Sequence, residues 1–167
     1  MIEPKQSKFA LLVSTAVLAT GVLLMPALAS AQQSQPTIYL KKTATCGCCA
    51  VWGDRMKFAG FTVKHEDMTM GQLMNFKKRN GIRNNFSCHT ARVSDYTIEG
   101  HISAREIRRL LREQPDAIGL SVPGMPIGSP GMDFDHTREA YDVLLLRKDG
   151  STEIFAHYPA SDAPSPR

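Results

Sequence analysis

The chain has 167 residues, four of them cysteine, with 20 Lys and Arg against 16 Asp and Glu and a formal net charge of +4 at pH 7. That length suits one domain with a hydrophobic core of its own. The mild charge, with no basic run interleaved with aromatics, argues against nucleic acid as a partner.

Lys5 and Lys8 precede an apolar run from Phe9 to Met25, and Pro26 with Ala27-Leu28-Ala29-Ser30-Ala31 follows. A basic, then a hydrophobic, then a small-residue region predicts a secretory signal peptide over residues 1–31, cleaved after Ala31 or, as the near alternative, after Ala29. An uncleaved anchor is the rival reading, since the run approaches the roughly 17 apolar residues that a membrane span needs. Pro26 and the alanine box speak against it. Cleavage removes Lys5, Lys8 and Glu3, leaving 136 residues with 18 basic and 15 acidic side chains. The mature chain is expected in the periplasm or outside the cell, without stable membrane insertion.

Residues 32–36 are polar and expected to be loose. Ile38 to Leu40 reads as a short strand, and Cys49 to Ala59 as a helix closed by Gly60. Phe61 to His65 alternates as a second strand. Met68 to Arg79 is a second helical pattern, with Leu73 and Phe76, and also Met70 and Met74, on its inward side. Strand, helix, strand in this order predicts two parallel strands joined by a right-handed crossover. Thr90–Val93 and Tyr96–Glu99 form a hairpin-like pair around Ser94-Asp95. Ser103 and Glu106 make a Ser-x-x-Glu capping box. The helix it opens buries Ile107, Leu110 and Leu111 and turns Arg105, Arg108, Arg109 and Arg112 to solvent. Pro115 to Asp133 is rich in Gly and Pro and shows neither a helical nor a strand period; it reads as a shaped flap. Tyr141–Leu146 and Ser151–Ala156 flank Lys148-Asp149-Gly150 as a second hairpin. The Pro/Ser-rich tail from 159 to 167 is expected to be disordered.

The chemistry concentrates in Thr45-Cys46-Gly47-Cys48-Cys49, three thiols within four residues, and in Ser87-Cys88-His89-Thr90. Crowded thiolates suit Cu(I), zinc or iron–sulfur chemistry and not magnesium or calcium. Cys46 and Cys49 have the C-x-x-C spacing at a helix start, where free N–H groups and the helix dipole favour thiolate. Four cysteines in an oxidising compartment ordinarily mean two disulfides. Three of these, however, sit in one turn, where they would staple almost nothing. Cys46, Cys48, Cys49 and Cys88 are therefore read as metal ligands, with copper favoured and zinc as the alternative. Met125 and Met132 in the flap are soft thioethers and secondary candidates, as is His89 beside Cys88. His65, His101, His136 and His157 are read as structural.

The strand–Cys-x-x-Cys–helix start resembles the thioredoxin fold, with Cys48 where a thioredoxin carries proline. A fuller set is more specific: Cys46-Gly47-Cys48-Cys49, Trp52, Gly60-Phe61, Ser87-Cys88-His89-Thr90-Ala91, Ile98-Glu99-Gly100-His101, Gly119-Leu120, Val122-Pro123-Gly124-Met125-Pro126 and Gly128-Ser129-Pro130-Gly131-Met132. That set resembles the CopG-type periplasmic copper-resistance proteins, over roughly Thr37 to Tyr158. The family's proline near Ile82-Arg83-Asn84 is missing here. The resemblance implies an α/β, thioredoxin-like mixed sheet with flanking helices, a Gly/Pro-rich flap and a C-terminal β-hairpin extension, spanning residues 37–158. It also implies copper on the cysteine sulfurs, in a site that can be multinuclear, and interconversion of Cu(I) and Cu(II) in copper resistance. Copper ions are then the first partners, with a copper efflux system or a periplasmic redox protein beyond them. Three rivals stay open: a thiol–disulfide oxidoreductase using Cys46 and Cys49, a passive copper chaperone or store, and a structural domain with two inert disulfides.

Overall fold

The computed structural model describes residues 35–84, 86–134 and 136–162. The expected signal peptide and its cleavage site lie outside the described residues, as does the end of the tail from 163. No described helix is long and apolar enough to cross a membrane.

Ten elements follow one another. They are β1 (Ile38–Lys42), α1 (Gly47–Phe58), β2 (Val63–Asp67), α2 (Met70–Arg79), β3 (Thr90–Val93), β4 (Tyr96–Glu99), α3 (Ala104–Glu113), β5 (Gly119–Ser121), β6 (Tyr141–Leu146) and β7 (Thr152–Tyr158). The strands form one mixed sheet in the order β2-β1-β3-β4-β5-β6-β7. β1 and β2 are parallel across α1, as the crossover rule requires, and β3 runs antiparallel to β1. The first four strands and three helices give a thioredoxin-like arrangement, and β5, β6 and β7 extend its sheet.

Pleat alternation decides what each face carries. Ile38, Leu40, Ala91, Val93, Ile98, Leu120, Val143 and Leu145 join Trp52 and Met56 of α1 and Ile107 and Leu110 of α3 in one apolar cluster. Thr90 and Glu99, out of phase with Ala91 and Ile98, face α2 instead, where Lys77 meets both. The outer strand β2 carries Lys64, His65, Glu66 and Asp67 exposed, a charged edge that discourages further pairing.

Helix ends follow local chemistry. Thr69 caps α2 in a reciprocal box with Gln72. Ser103 caps α3 by accepting from the Glu106 N–H. The return half of the expected Ser103–Glu106 box is replaced: the Glu106 carboxylate accepts from Tyr158 Oη at 2.9 Å and from Arg105. A tertiary partner has outcompeted the local one.

Four expectations need correction. Residues 115–133 contain a strand, β5, between β4 and β6. Three residues are too short to carry a period, and their neighbours supply the pairing. Gly119 is required there, because a Cβ would lie 1.8 Å from the Thr97 carbonyl oxygen. Met70 is not turned inward; it is 62% exposed, and the inward position one turn after Leu73 belongs to Lys77. The arginines of α3 are not a free basic face. Arg108 reaches the Ala59 carbonyl and lies over Phe61, while Arg109 bonds Glu113 and the Phe155 carbonyl. Finally, α1 begins at Gly47 and not at Cys49, so Cys46 is its N-cap and Cys48 and Cys49 both lie in its first turn.

Candidate metal centre

Consecutive helical residues diverge by about 100°, so Cys48 and Cys49 point different ways from one turn. Cys49 is buried and Cys48 half-buried. Cys46, in extended conformation at the N-cap, makes no capping bond with its side chain and is free to turn to Cys49, four residues spanning a Cα–Cα distance of 5.3 Å. Cys46 and Cys49 are joined by a disulfide; Cys48 and Cys88 are free thiols.

Cys88 closes the group from the opposite side. Its Sγ lies 3.4 Å from Cys49 Sγ and 3.8 Å from Cys48 Sγ, and Cys48 Sγ is 3.6 Å from Cys46 Sγ. All four sulfurs lie within 4.8 Å of one another. Burial, followed by the neighbouring Cys48, pushes the Cys88 thiol up to about 12. The thiol thus keeps its proton near neutral pH.

The segment carrying Cys88 is held by a buried polar network. Glu99 Oε1 accepts from the Ser87 N–H at 2.7 Å and from Lys77 Nζ at 2.5 Å. Its Oε2 accepts from Thr90 Oγ1 at 2.6 Å, and Lys77 Nζ also donates to Thr90 Oγ1 at 2.9 Å. Burial raises the Glu99 carboxyl above its ordinary range, and the Lys77 charge opposes that shift. Cys88 is thus bracketed by Ser87 and Thr90, both held by an ion pair out of reach of water.

The flap completes the wall. Gly124 donates to the Phe86 carbonyl at 2.9 Å, and Ser87 Oγ to the Gly124 carbonyl. Gly131 packs onto α1, where a Cβ would sit 2.8 Å from the Cys48 carbonyl oxygen and 3.0 Å from the Trp52 nitrogen. Asp133 pairs with Arg55 of α1 at 2.6 Å and accepts from the Gly131 N–H.

Two histidines adjoin Cys88. His89 lies buried against Trp52, ring centroids 4.6 Å apart, with Nδ1 3.4 Å from Cys88 Sγ. His101, read from sequence as structural, is also buried and brings Nε2 to 3.0 Å from the same sulfur. Its Nδ1 faces the Pro130 carbonyl at 2.9 Å and must donate there, which leaves Nε2 with its lone pair toward Cys88. Burial first of all lowers both imidazoles, His89 far below its ordinary range, so both are neutral. Of the other candidates, Met125 is half exposed beside the Gly124 bridge and Met132 half-buried after Gly131. His65 and His136 are exposed, and His157 pairs with Asp142.

Comparison with known proteins agrees with this geometry. A family described as protein of unknown function, DUF411, matches residues 85–132, the stretch from the Cys88 segment to the flap. A solved structure titled copper resistance protein CopG, form 1, superposes with a TM-score of 0.70 at 36% identity, covering 75% of this chain and 98% of that one. The chain belongs to the CopG family. Form 2 of that protein gives a TM-score of 0.69 at the same identity, with 75% and 99% covered. No curated protein sequence matches the chain. The four sulfurs of this family member form a cluster compatible with metal binding. Lys77 and His101 are the residues sequence reasoning passed over. A lysine one turn beyond Leu73 on an inward helical stripe, and a histidine directly after Glu99-Gly100, were the signals available.

Proposed function

We propose that this chain is a periplasmic copper-resistance protein whose Cys46, Cys48, Cys49 and Cys88 thiolates bind copper and interconvert Cu(I) and Cu(II). The observation that carries the reading is the meeting of Cys88 with the Cys46–Cys49 turn across some forty residues of chain, in a relative of a copper resistance protein. The donors fit the cation. Thiolates are soft ligands suited to Cu(I), the helix N-terminus supplies positive potential to the turn, and sulfurs 3.4 to 3.8 Å apart are spaced to share ions. Cys48 and Cys49, diverging from one turn, favour several copper ions bridged by sulfur over one closed zinc site.

The Cys46–Cys49 pair also supplies a route for electrons. Closing the disulfide from two thiols releases two electrons and two protons, and two Cu(II) ions take those electrons to become two Cu(I). In the reverse direction two Cu(I) return the electrons to the disulfide, which takes up two protons and reopens to two thiols; repeated Cu(II) reduction needs a redox partner that donates electrons to the disulfide. Copper in its less harmful form is then available to an efflux system. The signal peptide over residues 1–31 would put this chemistry in the periplasm.

The test is a Cu(I) titration of anaerobically reduced protein against a chromophoric chelator, with elemental analysis and a thiol count on the purified chain. Wild type is expected to hold more than one Cu(I) per chain, and Cys48→Ser, Cys49→Ser and Cys88→Ser each to hold fewer. Full stoichiometry in all three variants would overturn the reading, and zinc in the purified protein would replace copper by its alternative. One observation favours a second reading, a thiol–disulfide oxidoreductase. The disulfide sits at the first turn of the helix in a thioredoxin-like fold, where a low-pKa thiol is expected. Rapid insulin reduction by metal-free protein would support it.

A further inference from the structure

We infer that Met70 and Met74, with Met68 beside them, form a thioether site for Cu(I) at the rim of the protein, separate from the cysteine cluster and in exchange with it. The inference deepens the proposed copper function and rests on it for the identity of the metal. Exposure is the first observation. Residues 70, 73, 74 and 77 make one helical stripe of α2; Leu73 and Lys77 on it are each 1% exposed, yet Met70 is 62% exposed and Met74 half-buried. Methionine ordinarily fills irregular gaps in a core. Met70 fills none. Spacing is the second observation. Four residues apart on one helix, Met70 and Met74 stand one above the other, with β-carbons about 5–6 Å apart. Each sulfur ends a flexible, unbranched side chain, so both can turn to one ion. Met68, just before the Thr69 cap, brings a third sulfur to the entry of this turn.

Placement is the third observation. β2, β1 and β3 lie side by side and share one end. From that end β1 runs into the Cys46 turn and β2 into Met68, whose N–H donates to the Lys42 carbonyl at 2.8 Å, while β3 enters there from Cys88-His89. The thioethers thus share an end of the sheet with the four cysteine sulfurs. Their stripe runs on to Lys77, which holds Thr90 and Glu99 behind Cys88. Thioether, like thiolate, is a soft donor that selects Cu(I). It has no acid proton to lose and no disulfide to close, so it stays available when the Cys46–Cys49 disulfide withdraws two of the four thiolates. A neutral sulfur also holds the cation more weakly than an anionic one, which suits a position that passes its ion on. Cu(I) moves between the two sets without change of oxidation state, and each thiol that ligates it gives its proton to solvent.

The experiment follows the isotope-labelled methionine methyl groups of the mature chain by NMR while Cu(I) in acetonitrile is added without oxygen. One sample has the Cys46–Cys49 disulfide closed and the other is fully reduced. The Met70 and Met74 signals, assigned with Met70→Leu and Met74→Leu, should shift in both samples, and in the reduced one only after the cysteine cluster has filled. The reduced Met70→Leu, Met74→Leu double variant should bind one Cu(I) fewer per chain and keep the thiolate–copper absorption, which also shows that it is folded. Unmoved Met70 and Met74 signals at saturating Cu(I) overturn the site, as do shifts confined to Met125 or Met132. Unchanged stoichiometry in the double variant overturns it as well. Shifts at Met70 and Met74 in a chain whose cysteines take up no Cu(I) would instead sink the thiolate-cluster reading and leave this site standing.

Discussion

The two halves of the sulfur site are built by different physics. The Cys46–Cys49 turn is local: a strand, a turn and the first turn of α1 place three sulfurs within four residues, with backbone bonds such as Ala50 N–H to the Cys46 carbonyl. The Cys88 side is assembled from afar. Ser87 and Thr90, on either side of Cys88-His89, are held by Glu99 of β4 and Lys77 of α2, and Phe86 and His101 are met by the flap at Gly124 and Pro130. A helix N-terminus comes with the sequence that forms it, whereas a sulfur brought in from a loop must be anchored by groups chosen for nothing else. Here the anchor is a buried ion pair, which gives little net stability but is costly to break.

The sharpest way to break that contrast is at the anchor. Lys77→Ala or Glu99→Ala leaves a charge buried without its partner and should cost about 3–5 kcal/mol in chemical denaturation. Replacing both, Lys77→Met with Glu99→Leu, should recover most of that loss, because two buried charges go together. The double variant would still lack the acceptor for the Ser87 N–H, so its Cu(I) affinity should stay below that of wild type. Stability and affinity restored together would mean that the pair does not position Cys88.

Next in size is the seam between the halves. Gly131→Ala puts a methyl group 2.8 Å from the Cys48 carbonyl oxygen, on a backbone with φ of +88°. An expected loss of about 1–3 kcal/mol follows from overpacking. Thermal unfolding measures it, and a change within error would show that the flap yields freely at this point.

The last effect concerns the metal-free protein between pH 6.5 and 5. His89 and His101 have folded pKa values below the unfolded value of about 6.5. The unfolded chain therefore binds protons there that the folded chain does not. Stability is fully present above pH 6.5 and falls as pH drops through this window, by up to about 1.4 kcal/mol per pH unit for each histidine. Denaturant titrations at several pH values check the slope, and the slope should shrink in His89→Gln.

How much of this could be read from the chain varies with the distance over which each contact acts. β3, β4 and β6 fall where the turns beside them predict them, Ser94-Asp95 between the first two and Lys148-Asp149-Gly150 after the third, since a turn is a local property. β5 was invisible because three residues take their identity from the strands on either side. The four cysteines and the flap were legible as residues of special chemistry. That His101 and not a neighbour reaches Cys88 depends on a carbonyl in the flap, 29 positions away. Lys77 was hidden because a lysine on a helix is ordinarily solvated, and only Glu99 and Thr90 make a dry place for it.

By itself the sequence determined the donor chemistry: three thiols at a helix start, a fourth beside a histidine, and the alternation that builds a mixed α/β sheet. These depend on residue type and short-range geometry, which every folded form of the chain must share. The tertiary structure decided which sulfurs meet, which histidines join them and what holds Cys88 in place. Such contacts form only when β1, β3 and β4 bring distant segments side by side and burial makes each misplaced polar group costly.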